Sequence, residues 1–212
     1  MDNSIYAEEH QIFRNMFKKF VAKEITPNID QWEREGGVPR ELWLKMGEQG
    51  FLCPWLPEEY GGLGVGYEYS VILDEELIRG DGFGVSFSLH SDVVTPYINS
   101  YARPEIKERW LPGCATGETL TAIGMTDPNA GSDLAAIRTR AVKDGDAYVI
   151  NGQKTFITNG SVADLIVVAV KTGREAGYRG ISLILVDKDT PGFSLGRKLE
   201  KMGCHMQETA EL

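Results

Sequence analysis

The sequence is poor in the residues that build metal sites and disulfide frameworks. Its three cysteines (Cys53, Cys114, Cys204) and three histidines (His10, His90, His205) lie far apart, and no two cysteines form a CxxC pair. An odd, scattered set of thiols argues against a disulfide scaffold and a zinc site, and suits a reducing compartment. Long apolar runs are missing too. The longest, residues 165–170, is far too short to span a bilayer. Met1-Asp2-Asn3-Ser4 shows neither the positive region nor the apolar stretch of a secretory leader, so the expected location is the cytoplasm, with no membrane partner. Basic residues are outnumbered, 22 Lys and Arg against 31 Asp and Glu, a formal net charge of -9. That sign removes the electrostatic footprint of a nucleic-acid binder. Nor is there a Ser-His-Asp set, a phosphate-binding P-loop, or a GxGxxG opening a helix.

What is present divides in two by texture. Up to about residue 118 the apolar spacing is helical. Over 5–21, Ile5, Ile12, Phe13, Met16, Phe17, Phe20 and Val21 recur at threes and fours, with Asn3 or Ser4 to cap the start and Pro27 to stop the run. Pro39 and Gly50 bracket a second helix, the first at an N1-type position and the second at a C-cap. Others are expected through Tyr69–Ile78 to Gly80, over 85–100 with a break at Pro96, and over 105–111 behind Pro104. Beyond Leu120, Asp144-Gly145, Asn151-Gly152, Asn159-Gly160 and Pro191-Gly192 punctuate β-rich runs at 148–150, 154–158, 165–170 and 181–186. Short strands at that spacing describe an antiparallel sandwich or barrel. The expected fold class is α+β: an all-α helical domain over 1–118, then an antiparallel β-domain over 119–212. The last residues, 208–212, read as the start of a strand, so the β-domain is expected to be incomplete at its C-terminal end.

Two segments carry candidate chemistry. Residues 123–133 follow a strand-like run and gather small residues, hydroxyls and exposed main-chain N–H groups, which can approach the edge of a flat polar ring. The same composition also makes an ordinary surface turn. In 154–160, Phe156 beside Thr158 can cover one face of a planar ring and bond its edge, or Phe156 can sit in the core of a hairpin. The carboxylates Glu58-Glu59 and Asp74-Glu75-Glu76 read as solvated faces. Arg138 with Arg140, and Lys171, Arg174 and Arg179, can meet a polyphosphate or simply face water.

Together these segments resemble the acyl-CoA dehydrogenase family. Thr126-Asp127-Pro128-Asn129-Ala130-Gly131-Ser132-Asp133 is similar to its T-E/D-P-x-A-G-S-D signature. Asn151-Gly152-Gln153-Lys154-Thr155-Phe156-Ile157-Thr158-Asn159-Gly160 is similar to its N-G-x-K-x-aromatic-I-T/S-N-G signature, and Pro57-Glu58-Glu59-Tyr60-Gly61-Gly62-Leu63-Gly64 to an N-terminal motif. The resemblance implies an FAD enzyme that dehydrogenates acyl-CoA thioesters between Cα and Cβ and passes electrons to an electron-transfer flavoprotein. It implies flavin contacts from Ile123, Met125, Thr126, Gly131, Ser132, Phe156, Ile157 and Thr158, with Thr158 near N5. It implies acyl-CoA contacts from Ser132, Tyr178 and Arg179. In that family the base is a glutamate of a C-terminal helical domain, so no catalytic residue is expected among these 212 and the chain alone is expected to be inactive. A homo-oligomer is expected of the full-length form. An acyl-CoA oxidase or a flavin monooxygenase on the same scaffold, and a non-catalytic truncated homologue, stand as alternatives. Three positions depart from the pattern: Asp127 for Glu, shortening any contact there; Asn129 for Gly, which tolerates a left-handed turn; and Phe156 for Trp, which loses area and an N–H.

Overall fold

A computed structural model describes residues 5–173 and 177–212. Expectations placed on Asn3, Ser4 and Arg174 lie outside the described residues. The chain divides into two compact units: one runs to Thr119 and takes in Lys201–Gln207, and the other holds Leu120–Glu200 and Glu208–Leu212.

The first unit is helical: α1 (Glu8–Phe20), α2 (Ile29–Glu35), α3 (Arg40–Glu48), α4 (Glu68–Arg79), α5 (Thr95–Tyr101) and α6 (Pro104–Thr116). The N–H of Ala7 donates to His10 Nδ1 at 2.9 Å, closing the free end of α1. The buried stripe of α1 is narrower than its apolar composition suggests. Phe13 and Phe17 are buried and the line continues through Val21 and Ile25, whereas Ile12 and Met16 face water. A strict i, i+4 row is one ridge of a helix and leaves flanking positions outside. The helical path widens to π geometry at Val21–Ile25 and tightens to a 3₁₀ turn at Thr26–Asn28. Pro27 therefore marks a change of helix type, and α2 resumes behind it.

Aromatic edges fill the centre of this unit. Phe51 meets Phe17 edge-on at 4.8 Å and Phe13 at 5.6 Å, and Phe13 meets Tyr69 at 5.0 Å. Such pairs add about 0.5–1.5 kcal/mol each beyond their burial. Arg14 of α1 reaches both Glu75 and Glu76 of α4 at 2.7 Å. Helices α3 and α6 approach so closely that a Cβ on Gly47 would lie 2.1 Å from the Thr116 carbonyl oxygen. On the other side, a Cβ on Gly117 would lie 2.5 Å from the Trp43 oxygen. The expected helix at 85–100 is interrupted by a π segment, Leu89–Val94, just before Pro96.

The second unit holds β1 (Thr121–Gly124), β2 (Arg140–Asp144), β3 (Ala147–Asn151), β4 (Leu165–Lys171) and β5 (Ile181–Asp187). Here the antiparallel expectation needs correcting, because the sheet is mixed. β4 runs parallel to β1, with Thr121 opposite Leu165 and Gly124 opposite Val168, and antiparallel to β5. The β2–β3 hairpin is antiparallel and joins β4 through Arg140 opposite Lys171. β4 is buried from Leu165 to Val170, the continuous apolar run of a strand covered on both faces. Asp144-Gly145 does close a hairpin, but Asn151-Gly152 and Asn159-Gly160 do not. Gly152 is small because a Cβ there would sit 2.4 Å from Thr139 Oγ1. Asn159 adopts a left-handed conformation, and its Nδ2 donates to the Thr121 carbonyl. Residues 208–212 run as an extended segment between 154–157 and 196–199. Ala210 exchanges both main-chain bonds with Ile157 at 3.0 Å, and Leu212 pairs likewise with Lys154.

One carboxyl in the helical unit sets a pH dependence. Asp92 accepts from Ser70 Oγ at 2.7 Å, but its buried Oδ2 has no partner among the described residues. Burial, with the nearby Asp74 charge adding to it, pushes the carboxyl up to about 6. A folded-state value raised above the unfolded one means that the native state binds the extra proton. Stability is therefore fully present below about pH 4 and is lost as pH rises through 6, by about 3 kcal/mol. Asp92→Asn is expected to raise the melting temperature at pH 8 by several degrees and to leave it unchanged at pH 4, as followed by circular dichroism.

Candidate functional site

The candidate site is built where the loop after β1 meets the segment after β3. β1 ends at Gly124, whose missing side chain leaves room for the Lys154 stem, 3.3 Å from where a Cβ would stand. The chain then folds on itself: Asp127 and Ala130 exchange main-chain bonds at 3.0 and 3.1 Å, closing a tight turn over Pro128 and Asn129. Asn129 does not take the left-handed conformation that its identity allows. It serves the loop through Nδ2, which donates to the Ala136 carbonyl at 3.0 Å.

Beneath this turn lies a buried ion pair. Lys154 Nζ donates to Asp127 Oδ1 at 2.6 Å and to the Met125 carbonyl at 2.8 Å, and the two side chains are 4% and 2% exposed. Asp127 also accepts from the N–H of Arg138 at 2.5 Å, the N–H of Thr139 at 2.8 Å and Thr139 Oγ1 at 2.8 Å. Burial works against the carboxylate, but Lys154 and these donors outweigh it and hold Asp127 below the usual carboxylate range. The same burial draws the Lys154 ammonium down from its usual value, with Asp127 opposing. The paired, charged form prevails at neutral pH, because so many donors converge on one carboxylate. The shorter Asp127 thus makes a direct contact that sequence reasoning left unassigned.

The two candidate segments come together. The N–H of Thr155 donates to the Thr126 carbonyl at 3.0 Å, laying 152–158 against 125–127. Ile123, Met125, Thr126 and Thr158 are half-buried, while Gly131 and Ser132 are exposed. The N–H groups of Thr126, Gly131 and Ser132 donate to nothing else among the described residues. Phe156 stands out most. Lys154, Thr155 and Ile157 are each pinned by main-chain bonds. Phe156 between them takes φ 58 and projects its ring into solvent, 69% exposed. A left-handed aromatic residue costs about 1–2 kcal/mol, and such strain concentrates at functional positions. Ile157 does the opposite: it is 2% exposed, packs in the sheet core with Ala122, Ile166 and Val168, and exchanges both main-chain groups with Ala210. Its side chain and main chain are committed to the fold. Tyr178, 74% exposed, and Arg179 lie in the short turn Gly177–Gly180, which packs against the turn Leu134–Ala136 at the far end of the same loop.

Two other features lie outside the predicted set. A cavity of about 310 Å³ beside β3, lined by Ile150, Val168, Val186, Phe193 and Leu212 among others, includes none of the expected flavin-contacting residues. Its lining is chiefly apolar, whereas the open donors sit on the Thr126–Ser132 loop. In the helical unit, Cys53 Sγ comes within 3.8 Å of His90 Nε2, a closeness no motif or spacing signals. Both are fully buried, the imidazole nitrogen faces the Cys114 carbonyl at 2.9 Å, and burial pushes the thiol up to about 12. A thiol so hard to ionise is no nucleophile at neutral pH. No group of three or more His, Cys, Asp or Glu able to hold a metal occurs among the described residues.

Comparison with known proteins fits this geometry. The pattern of the acyl-CoA dehydrogenase N-terminal domain matches residues 7–118, and that of the acyl-CoA dehydrogenase middle domain matches residues 122–212. A long-chain specific mitochondrial acyl-CoA dehydrogenase of Sus scrofa is 45% identical over 210 residues, which is 98% of this chain and 49% of that protein. The crystal structure of an acyl-CoA dehydrogenase from Geobacillus kaustophilus is 58% identical, with a TM-score of 0.95 over 98% of this chain and 55% of the other. A glutaryl-CoA dehydrogenase from Mycobacterium smegmatis, solved in complex with FADH2, is 31% identical, with a TM-score of 0.90 over 99% of this chain and 53% of that one. The chain spans about half the length of the curated relatives it matches.

The strain at residue 156 yields a test. Phe156→Gly removes the left-handed penalty and sacrifices little burial. It is expected to stabilise the chain by up to about 1 kcal/mol, a rise of about 2–4 °C in melting temperature. Calorimetry showing a loss of stability instead would mean that the ring is anchored and not merely presented.

Proposed function

Because the chain belongs to the acyl-CoA dehydrogenase family, we propose that it is the front part of an FAD enzyme that dehydrogenates an acyl-CoA thioester between Cα and Cβ. In this reading residues 1–118 form the helical domain and 119–212 the middle domain, and electrons leave to an electron-transfer flavoprotein. The observation that carries the proposal is the pairing of open main-chain donors at Thr126, Gly131 and Ser132 with a held-out aromatic, Phe156, on the adjoining segment. A flat ring with an acceptor-rich edge matches that combination: donors for the edge and an apolar face beside it. When bound, FAD would supply the two-electron acceptor for the β-hydrogen of the substrate.

The residues present do the rest of the binding work. The N–H groups of Thr126, Gly131 and Ser132 would donate to the edge of the bound ring. Phe156 would lie against one face of the ring and keep water from it, and the Thr158 hydroxyl would offer a hydrogen bond to its edge. Ile123 and Met125 form the apolar backing, with Met125 packed on Ala130, Ile137 and Ala169. Ile157 contributes by fixing its neighbours. Ser132, Tyr178 and Arg179 face the acyl-CoA, with Arg179 placed for a phosphate. Asp127, the buried carboxylate of this region, is held ionised by its donors and is a poor proton acceptor, and the α-proton base is expected from a C-terminal helical domain, as the family resemblance implies. Full-length copies associate as a homo-oligomer. Among the described residues no helix is long and apolar enough to cross a membrane, and the three free thiols fit the cytoplasm.

Titrating FAD with the purified chain is expected to shift the flavin visible bands and quench its fluorescence, and Phe156→Ala to weaken both by about tenfold. With octanoyl- or palmitoyl-CoA and a dye acceptor, the FAD-loaded chain is expected to show no turnover. A flavin spectrum unmoved by saturating protein would sink the cofactor assignment, and substrate-dependent dye reduction would place a base within these 212 residues.

A further inference from the structure

Building on the flavin reading above, we propose that Lys154 is a positioning residue: anchored by Asp127, it turns the Met125–Thr126 peptide so that the Thr126 N–H faces the ligand. A trans peptide is planar, and its C=O and N–H point in opposite directions. The Met125 carbonyl points inward, accepting from Lys154 Nζ at 2.8 Å. The N–H of Thr126, on the same plane, therefore points away from the buried ammonium, and it donates to nothing else among the described residues. The next carbonyl, that of Thr126, is taken by the N–H of Thr155.

Lys154 suits the task because its own main chain cannot move. Its N–H and C=O both pair with Leu212, at 2.8 and 2.9 Å. From that fixed root the side chain passes the space left by Gly124 and ends under the loop. Asp127 neutralises the charge and restrains the ammonium at 2.6 Å, so the pair sends little net field outward. The arrangement is asymmetric. Without Lys154, Asp127 keeps its bonds from Arg138 and Thr139, and the 127–139 loop stays tied. The one group left without a partner is the Met125 carbonyl. Loss of the ammonium thus frees this peptide to rotate, at a cost in stability from the Asp127 charge left uncompensated, while the loop keeps its other bonds.

The test is an FAD titration, followed by flavin fluorescence, of the wild-type chain, Lys154→Met and Lys154→Arg, with the melting temperature of each recorded alongside. Lys154→Met is expected to bind FAD at least tenfold more weakly while keeping its circular dichroism spectrum. Lys154→Arg, which still offers donors to both oxygens, should bind within about threefold of wild type. In the bound wild-type chain the Thr126 amide should exchange hydrogen more slowly than in the free chain, and this protection should be lost in Lys154→Met. Unchanged affinity or protection in Lys154→Met overturns the proposal. Should Lys154→Met fail to fold, Lys154→Arg decides, since a folded Arg variant with tenfold weaker binding overturns it as well. A wild-type chain that does not bind FAD at all removes the flavin reading first, and the positioning role with it.

Discussion

A charge pair that water cannot reach, Lys154 with Asp127, organises the second unit. Two ions taken out of water are costly unless each is fully bonded. Here the lysine meets a carbonyl as well as a carboxylate, and the carboxylate meets a lysine, two amides and a hydroxyl. Three stretches distant in sequence, 125–127, 138–139 and 154, are thereby forced to one point. From this knot follow the tight turn over Pro128 and Asn129, the close passage at Gly124 and Gly152, and the alignment of Thr155 with Thr126. Hydrophobic burial by itself would not choose this arrangement, since apolar contacts carry no direction. The charged pair supplies the direction.

Much of the architecture was legible because it rests on local signals. The α-to-β change near residue 120, the span of β4 and the helix ending before Gly80 are written in spacing and composition. α2 was not legible, being seven residues long with a single buried tryptophan. Strand direction was misjudged for a physical reason: Asn-Gly and Asp-Gly favour tight turns, but they also serve other ends. Gly152 is demanded by the nearness of Thr139, and Asn159 caps the β1 end with its amide. Parallel pairing of β1 with β4 depends on residues some forty positions apart, which no local dipeptide records.

The candidate site was legible as motifs but not as geometry. Gly131, Ser132, Thr126 and Phe156 could be singled out by type. Their division of labour could not, because it depends on which main-chain groups remain open after the fold has used the others. Ile157 illustrates this: in sequence it looks like part of a ring-facing triplet, yet its alternation with Phe156 and Thr158 turns it into the core. The reverse holds for Asp127 and Lys154, which belong to separate motifs and whose pairing only the folded loop reveals.

The β2–β3 hairpin carries a consequence of its own. It is largely solvent-bathed on both faces and meets β4 through one register pair, Arg140 with Lys171, at the strand's last residue. Cohesion in this unit is accordingly graded outward from β4: a stiff central rib with a loosely hinged tongue. Local opening of that tongue breaks few cross-sheet bonds, so it can breathe without disturbing the Lys154 knot, provided the bend lies before Gly152. Variation in its length or sequence is then cheap. The chain has room there to change its surface while the loop tied by Lys154 and Asp127 stays fixed.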